Sequence, residues 1–311
     1  MKRADEPNYH GILNLDKPAG WTSHDVVARV RRLLKQRSVG HAGTLDPLAT
    51  GVLVVCVGRA TRVVEYLMAS QKVYRAVARL GETSDTYDID GAITATAPAP
   101  SLSHANLTAA LAPFVARYCG TILQTPPAYS AVKQDGVPAY RRARRGQTVA
   151  LAARPVTIER IDLLDWQPPH LTIEVTCGPG TYIRSLTHDL GQALGCGAVL
   201  TALTRLRSGS FNLADAISLD ALAEAVEADL VLRHVHPLRC ALADLTPVPV
   251  DPQAAMRIAH GQAIPCPTQP ENETGYACGP DGGVLAILAY DVARMQWRPR
   301  KVFAADDNGN G

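Results

Sequence analysis

No two cysteines in this 311-residue chain stand in a C-x-x-C pair, and the seven present are odd in number and widely spread. That argues against a zinc ribbon and against a disulfide framework. No apolar run approaches the roughly 18 residues that a membrane-spanning helix needs. No apolar stretch follows the N-terminal M-K-R-A-D-E-P, so no signal peptide is visible. These absences predict a reduced, cytoplasmic protein with no membrane partner. Neither charge is in excess: 31 Lys and Arg against 29 Asp and Glu give a net charge of +2. Bulk charge therefore supplies no argument for a nucleic-acid partner, and only its distribution can.

What the chain does contain is apolar material, 47% of it, enough for one large domain and a small one. Its charges are grouped. Arg29, Arg31, Arg32, Lys35 and Arg37 form one basic cluster and Arg141, Arg142, Arg144 and Arg145 another, while Glu82, Asp85, Asp88 and Asp90 form an acidic one. Such grouping suits a nucleic-acid face with an acidic back, and suits ordinary solubility equally well.

The chemistry is concentrated between Val39 and Thr50, V-G-H-A-G-T-L-D-P-L-A-T. Gly40 and Gly43 flank His41-Ala42. Pro47 fixes its own φ and biases Asp46 toward extended backbone, so the carboxylate is held rather than floppy. Loops that join regular elements often carry catalytic groups. An Asp-Pro turn with an Asx hydrogen bond accounts for the same residues without any catalysis.

Around this loop the pattern alternates strands with helices. Gly11 to Leu15 predicts a strand. Thr22 to Gln36 predicts a helix capped by Thr22, with Asp25 at its positive end and Val26, Val27, Val30, Leu33 and Leu34 on one face. The run after Gly51 predicts a buried strand and Arg59 to Ala69 a helix. Lys72 to Leu80 alternates with period two, placing Tyr74, Ala76, Ala78 and Leu80 on one face. Gly81 to Gly91 is acid-rich but lacks EF-hand spacing. Thr94 to Ser103 reads as a loop, and Leu107 to Val115 as a short helix broken near Pro113. Gly120 to Gly146, rich in proline, glycine and arginine, reads as an insertion rather than a core element. Two strands follow, over Val156 to Trp166 and Leu171 to Cys177. A helix starts after Gly180 and puts Arg184 in its first turn, where a cation is disfavoured and needs a partner. Ser218 to Leu232 predicts a helix with Leu222, Val226 and Leu230 inward. Composition shifts to proline between His236 and Pro249, which predicts a domain boundary.

G-H-A-G-T-L-D-P-L-A-T-G-V-L resembles the signature of the bacterial tRNA pseudouridine synthase B (TruB) family. So do N-L-D-K-P-A-G-W-T-S-H-D (Asn14 to Asp25), K-V-Y-R-A (Lys72 to Ala76), L-Q-T-P-P-A-Y-S-A-V-K (Leu123 to Lys133), C-G-P-G-T-Y-I-R-S-L-T-H-D-L-G (Cys177 to Gly191) and L-T-R-L-R (Leu203 to Arg207). They occur in the family's order and cover about residues 11 to 215. The resemblance implies an α+β pseudouridine synthase fold, with a mixed, largely antiparallel central sheet flanked by helices. That domain is expected over residues 1–240, with an RNA-gripping insert at about 120–150. A small PUA-like β-barrel is expected over 241–303 and a polar tail over 304–311.

It implies isomerisation of the T-loop uridine at tRNA position 55, with no cofactor and no metal. Asp46 is expected to be the catalytic carboxylate, Arg184 its ionic partner and Tyr74 the ring against the target base. His41 is expected to act in flipping that base out, with Tyr182 and Leu203 lining the pocket. Lys17 is placed in support near the substrate, and Arg141, Arg142, Arg144 and Arg145 as phosphate contacts. The tRNA T-arm is the expected partner of a monomer without obligate protein partners. Three roles are open to the carboxylate: attack at C1′, attack at C6, or stabilisation of charge at C1′. The rivals are a catalytically inactive RNA-binding protein, a synthase for another RNA, and a hydrolase with paired carboxylates. The last is disfavoured because Asp46 has no evident acidic partner in the motifs.

Overall fold

The computed structural model describes residues 8–303 except 135, 148 and 267. The expected polar tail, 304–311, lies outside them, as do residues 1–7 of the expected loose N-terminus. The strands of the main sheet are β1 (Gly11–Lys17), β2 (Val39–His41), β3 (Thr50–Val57), β4 (Lys72–Leu80), β5 (Gly120–Gln124), β6 (Arg154–Gln167), β7 (His170–Cys177), β8 (Ala198–Ser208) and β9 (Val235–His236). They run in the order β9-β1-β3-β8-β4-β7-β6-β5, with β2 paired to β3 and Phe211–Asn212 to β8. Every pairing is antiparallel except β3 with β8, which is parallel. That parallel pairing, Thr204 opposite Thr50 and Arg205 opposite Gly51, makes the sheet mixed.

Seven α-helices among the described residues accompany it: α1 (Ser23–Leu33), α2 (Val64–Ala69), α3 (His104–Tyr118), α4 (Ala139–Ala143), α5 (Ile183–Ala193), α6 (Leu219–Glu227) and α7 (Pro252–Ala259). α1 has the cap its sequence predicts: the Thr22 hydroxyl accepts from the Asp25 amide, and the Asp25 carboxylate accepts from the Thr22 amide. Val26, Val27 and Val30 of α1 pack with Leu186 and Leu190 of α5 and Leu222 of α6 on one face of the sheet. The opposite face, with Ile12, Val52, Val54 and Cys56, is covered by Val63, Leu67 and Leu242. β3 is thus buried on both faces, which is why it reads as a continuous apolar run rather than an alternation.

A second sheet holds β10 (Thr246–Pro249), β11 (Ile264–Pro265), β12 (Thr274–Cys278), β13 (Val284–Asp291) and β14 (Gln296–Val302), in the order β10-β12-β13-β14-β11. This is the curled PUA-like sheet. Ile287 and Phe303 join the cluster with Val52 and Leu242, so the small unit rests on the far face of the large sheet.

Five local expectations change. α3 runs unbroken through Pro113, because the proline lies on the exposed side while Leu107, Leu111 and Phe114 stay packed. A mid-helix proline removes one hydrogen bond, and that buried face outweighs the loss. Residues 120–124 are the edge strand β5, so the irregular segment begins only after Gln124. Part of the loop expected at 94–103 pairs as Ile93–Ala95 with Glu82–Ser84. α6 ends at Glu227, and Leu230 is exposed, not inward. The helix expected over 59–69 begins as a 3-10 turn, Gly58–Val63, before α2.

Candidate active site

The 42–49 loop leaves β2 and returns into β3, and its carboxylate faces the start of α5. Asp46 Oδ2 lies 3.0 Å from Arg184 Nε, and Arg184 Nη2 donates to Asp46 Oδ1 at 3.2 Å. The arginine is 5% exposed and the aspartate 34%. The partner that an arginine in a helix's first turn requires is therefore the loop carboxylate. Arg184 also donates to the carbonyls of Thr86 and Tyr129, at 3.2 and 2.9 Å.

Asp88 is a second carboxylate on the same guanidinium, 3.4 Å from Nη1. Asp46 therefore does have an acidic neighbour, although Arg184 stands between them. The Thr86 hydroxyl donates to Asp88 Oδ1 at 2.5 Å and the Asp90 amide donates to the same oxygen at 3.1 Å. Burial nevertheless raises the Asp88 carboxyl above its usual range, against the pull of Thr86 and Arg184.

Lys17 has no solvent exposure. Its ammonium donates to the carbonyls of Pro18 (2.9 Å), Trp21 (2.6 Å) and Pro47 (3.3 Å). Through the Pro47 carbonyl it holds the residue after Asp46. Burial draws its pKa down to about 8, partly offset by the Asp46 charge.

Tyr74 is half-buried, and its hydroxyl lies 3.5 Å from Arg205 Nη1. Burial raises its phenol, with smaller effects from Arg205 and Asp46. Leu203 is buried on β8, opposite Ala76 of β4. Tyr182 is half-buried at the cap of α5. Gln124 grips it through the backbone, accepting from its amide at 2.8 Å and donating to its carbonyl at 3.0 Å. Burial raises its phenol too, and the charges of Asp46 and Arg184 bear on it. His41 stands edge-on to His24, ring centroids 5.5 Å apart. Burial first, then His24 and Arg205, lower its pKa to about 4, so the ring is neutral at physiological pH.

Leu203 lies two residues before Arg205 on β8. Asp46, Arg184, Lys17 and His41 gather around one loop, with Tyr74 joined to it through Arg205 and Tyr182 at the cap of the helix that carries Arg184. The arginine cluster does not. Arg141, Arg144 and Arg145 are exposed on and after α4, with Arg141 and Arg144 on the Tyr140 ring, while Arg142 is half-buried and donates to the Gln134 carbonyl.

Residues 31–183 match the family model for the N-terminal domain of TruB family pseudouridylate synthases. Residues 184–243 match that for the tRNA pseudouridylate synthase B C-terminal domain. The chain belongs to the TruB family. It is 44% identical over 303 residues to tRNA pseudouridine synthase B of Syntrophotalea carbinolica, covering 92% of this chain and 94% of the relative. It is 48% identical over 293 residues to that of Gloeobacter violaceus, covering 92% and 97%. Among solved structures it resembles a Cbf5-Nop10-Gar1 complex, with TM-score 0.74, 27% identity, and coverage of 96% of this chain and 86% of that one. It also resembles an H/ACA RNP bound to a substrate RNA containing 2′-deoxyuridine, with TM-score 0.73, 25% identity and the same coverage.

In this TruB-family site the motifs had marked Asp46 and Arg184 but not Asp88, Gln124 or Arg205. Asp88 gave only a weak signal as one of several acids in D-T-Y-D-I-D. Arg205 stood inside L-T-R-L-R with nothing to separate it from Arg207.

Proposed function

We propose that this TruB-family enzyme isomerises the T-loop uridine at tRNA position 55 to pseudouridine. The observation that carries the proposal is the loop carboxylate of Asp46 held by a buried arginine while remaining one-third exposed. In the reaction the N1–C1′ bond breaks, the freed uracil turns, and C5 bonds to C1′. C5 then loses a proton and N1 gains one, so no redox partner or energy source is required. Arg184 orients Asp46 through charge-assisted contacts. Tyr74 offers a ring for the base to stack on. His41, neutral and at the loop's start, acts in displacing the base rather than in moving a proton.

A T-loop uridine is stacked in the folded arm and must be turned out to be reached. Tyr182 and Leu203 line the receiving pocket. Exposed Arg141, Arg144 and Arg145 meet phosphates, contacts that position an RNA rather than read its sequence. Arg142 shapes that segment through Gln134. The catalytic unit runs over 1–240 and the RNA-binding unit over 241–303; β9 still pairs with β1, and the second sheet begins at Thr246. The enzyme works as a monomer in the cytoplasm. No helix among the described residues is long and apolar enough to cross a membrane.

Tritium release from tRNA carrying 5-labelled uridine tests the reaction, with an isolated T-arm and unrelated RNA fragments as parallel substrates. Release from tRNA and the T-arm alone is expected. Release only from other RNAs would redirect the proposal to a different substrate, and none from any RNA would leave an RNA-binding protein.

A further inference from the structure

Arg205 heads the largest fully buried side chains, at 1% exposure. Arginine stays protonated in proteins, so this is a permanent charge under the site. Burying such a charge is costly unless its donors are satisfied. Nε donates to the Val52 carbonyl at 2.6 Å, Nη2 donates to the Gly43 carbonyl at 3.1 Å, and Nη1 makes a long contact, 3.5 Å, with the Tyr74 hydroxyl. These are neutral acceptors on three elements: β3, the catalytic loop and β4.

The backbone delivers Arg205 to this point. It lies on β8 at the seam between β3 and β4, opposite Gly51 on one side and Tyr74 on the other. A Cβ on Gly51 would stand 2.4 Å from the Arg205 carbonyl oxygen, so only glycine lets β8 approach. Lys17 meanwhile holds the far end of the same loop at Pro47. The five residues 43–47, Asp46 among them, are therefore fastened at both ends by buried cations.

We propose that Arg205 is a positioning residue for the isomerisation, fixing the start of the Asp46 loop and the Tyr74 hydroxyl in one relation. The inference rests on the proposed function of this site. The Val52 bond alone would be ordinary sheet support. The Gly43 and Tyr74 contacts couple that support to the two groups expected to meet the nucleotide. Lysine keeps the charge but cannot reach three diverging acceptors from one nitrogen.

The test compares full-length Arg205→Lys, Tyr74→Phe and the double variant with the unaltered chain. Tritium release, tRNA binding and amide exchange are measured in each. In Arg205→Lys, kcat should fall about 10²-fold, the scale of a small misplacement at a reacting centre. The Kd for tRNA should stay within about 3-fold, the mark of an interaction realised beyond substrate binding. The Ala49 amide, which donates to the Asp46 carbonyl, should exchange faster while β13 is unchanged. In the Tyr74→Phe background the Arg205→Lys loss should shrink, because one shared contact is already gone. An unchanged kcat overturns the inference, as do additive losses in the double variant. So does a general rise in exchange with weakened binding, which would mark plain sheet support. If Arg205→Lys does not fold, loop exchange in Tyr74→Phe decides: an unchanged Ala49 amide overturns the inference, and faster exchange there with β13 unchanged supports it. The exchange arm requires no turnover. An unaltered chain that releases no tritium therefore fails the proposed function, while loop exchange still judges the brace.

Discussion

Asp46 and Asp88 share one guanidinium: Arg184 meets the first at 3.0 Å and the second at 3.4 Å. The two carboxylates differ in exposure, 34% against 6%. The exposed one can reach a nucleotide, and the buried one can only steady the arginine. This division makes a hydrolase with two working carboxylates a poor description of the site, since the second acid points at the cation and is shielded from solvent.

Asp46→Asn keeps the shape of the loop and removes the charge. Turnover should fall on the order of 10⁴-fold, the upper range for losing an acid–base or nucleophilic group. The Kd for tRNA should stay within a few-fold, because the expected phosphate contacts lie elsewhere. Single-turnover tritium release beside a filter-binding assay checks both. Near-normal turnover would remove Asp46 from the mechanism.

Asp88→Ala leaves buried Arg184 with Asp46 as its one carboxylate partner among the described residues, beside the carbonyls of Thr86 and Tyr129. Breaking a fully buried ion pair costs about 3–5 kcal/mol, and the remaining Asp46 contact places this variant toward the lower end. Denaturant unfolding should show that loss together with a lower kcat. Asp88→Asn, which retains an acceptor for the Thr86 hydroxyl, should recover part of the stability.

Lys17 gives a pH signature. Its folded pKa of about 8 lies below the ordinary value of 10.5. Above about pH 8 the amine has two N–H groups for three carbonyls, and the Pro47 end of the loop loosens. Activity should therefore decline on the alkaline side. Between pH 8 and 10.5 the unfolded chain binds more protons at this residue than the folded one, so its contribution to stability rises with pH. The loss of activity is thus separable from unfolding. Lys17→Arg should move the alkaline limb upward in a kcat profile, while a thermal melt at the same pH shows no parallel fall.

Leu186 of α5 is fully buried in the main core, two residues beyond Arg184. Leu186→Ala should cost about 2–5 kcal/mol, the range for truncating a buried leucine. Thermal denaturation reads it directly. Because α5 still carries Arg184, kcat measured well below the new Tm should change less than in Asp88→Ala.

The elements easiest to read were those whose signals are local. The Thr22 cap, the period of α1 and the alternation of β4 each arise from neighbours a few residues apart, and each stands where the pattern put it. Pro113 misled because a proline is a local penalty, while the packing of Leu107, Leu111 and Phe114 that overrides it is not local. Leu230 misled in the opposite way: an apolar residue in register with a helix that ends three residues earlier.

By itself the sequence determined the family, the mixed α+β fold, the loop carboxylate and the need of Arg184 for a partner, since motif order, periodicity and helix-end electrostatics are written along the chain. Only the tertiary structure decided that Asp88 stands behind Arg184, that Lys17 reaches the Pro47 carbonyl, and that Arg205 reaches Gly43 and Tyr74. These contacts join residues 30 to 162 positions apart. Sheet pairing and burial set such distances, and no spacing rule along the chain encodes them.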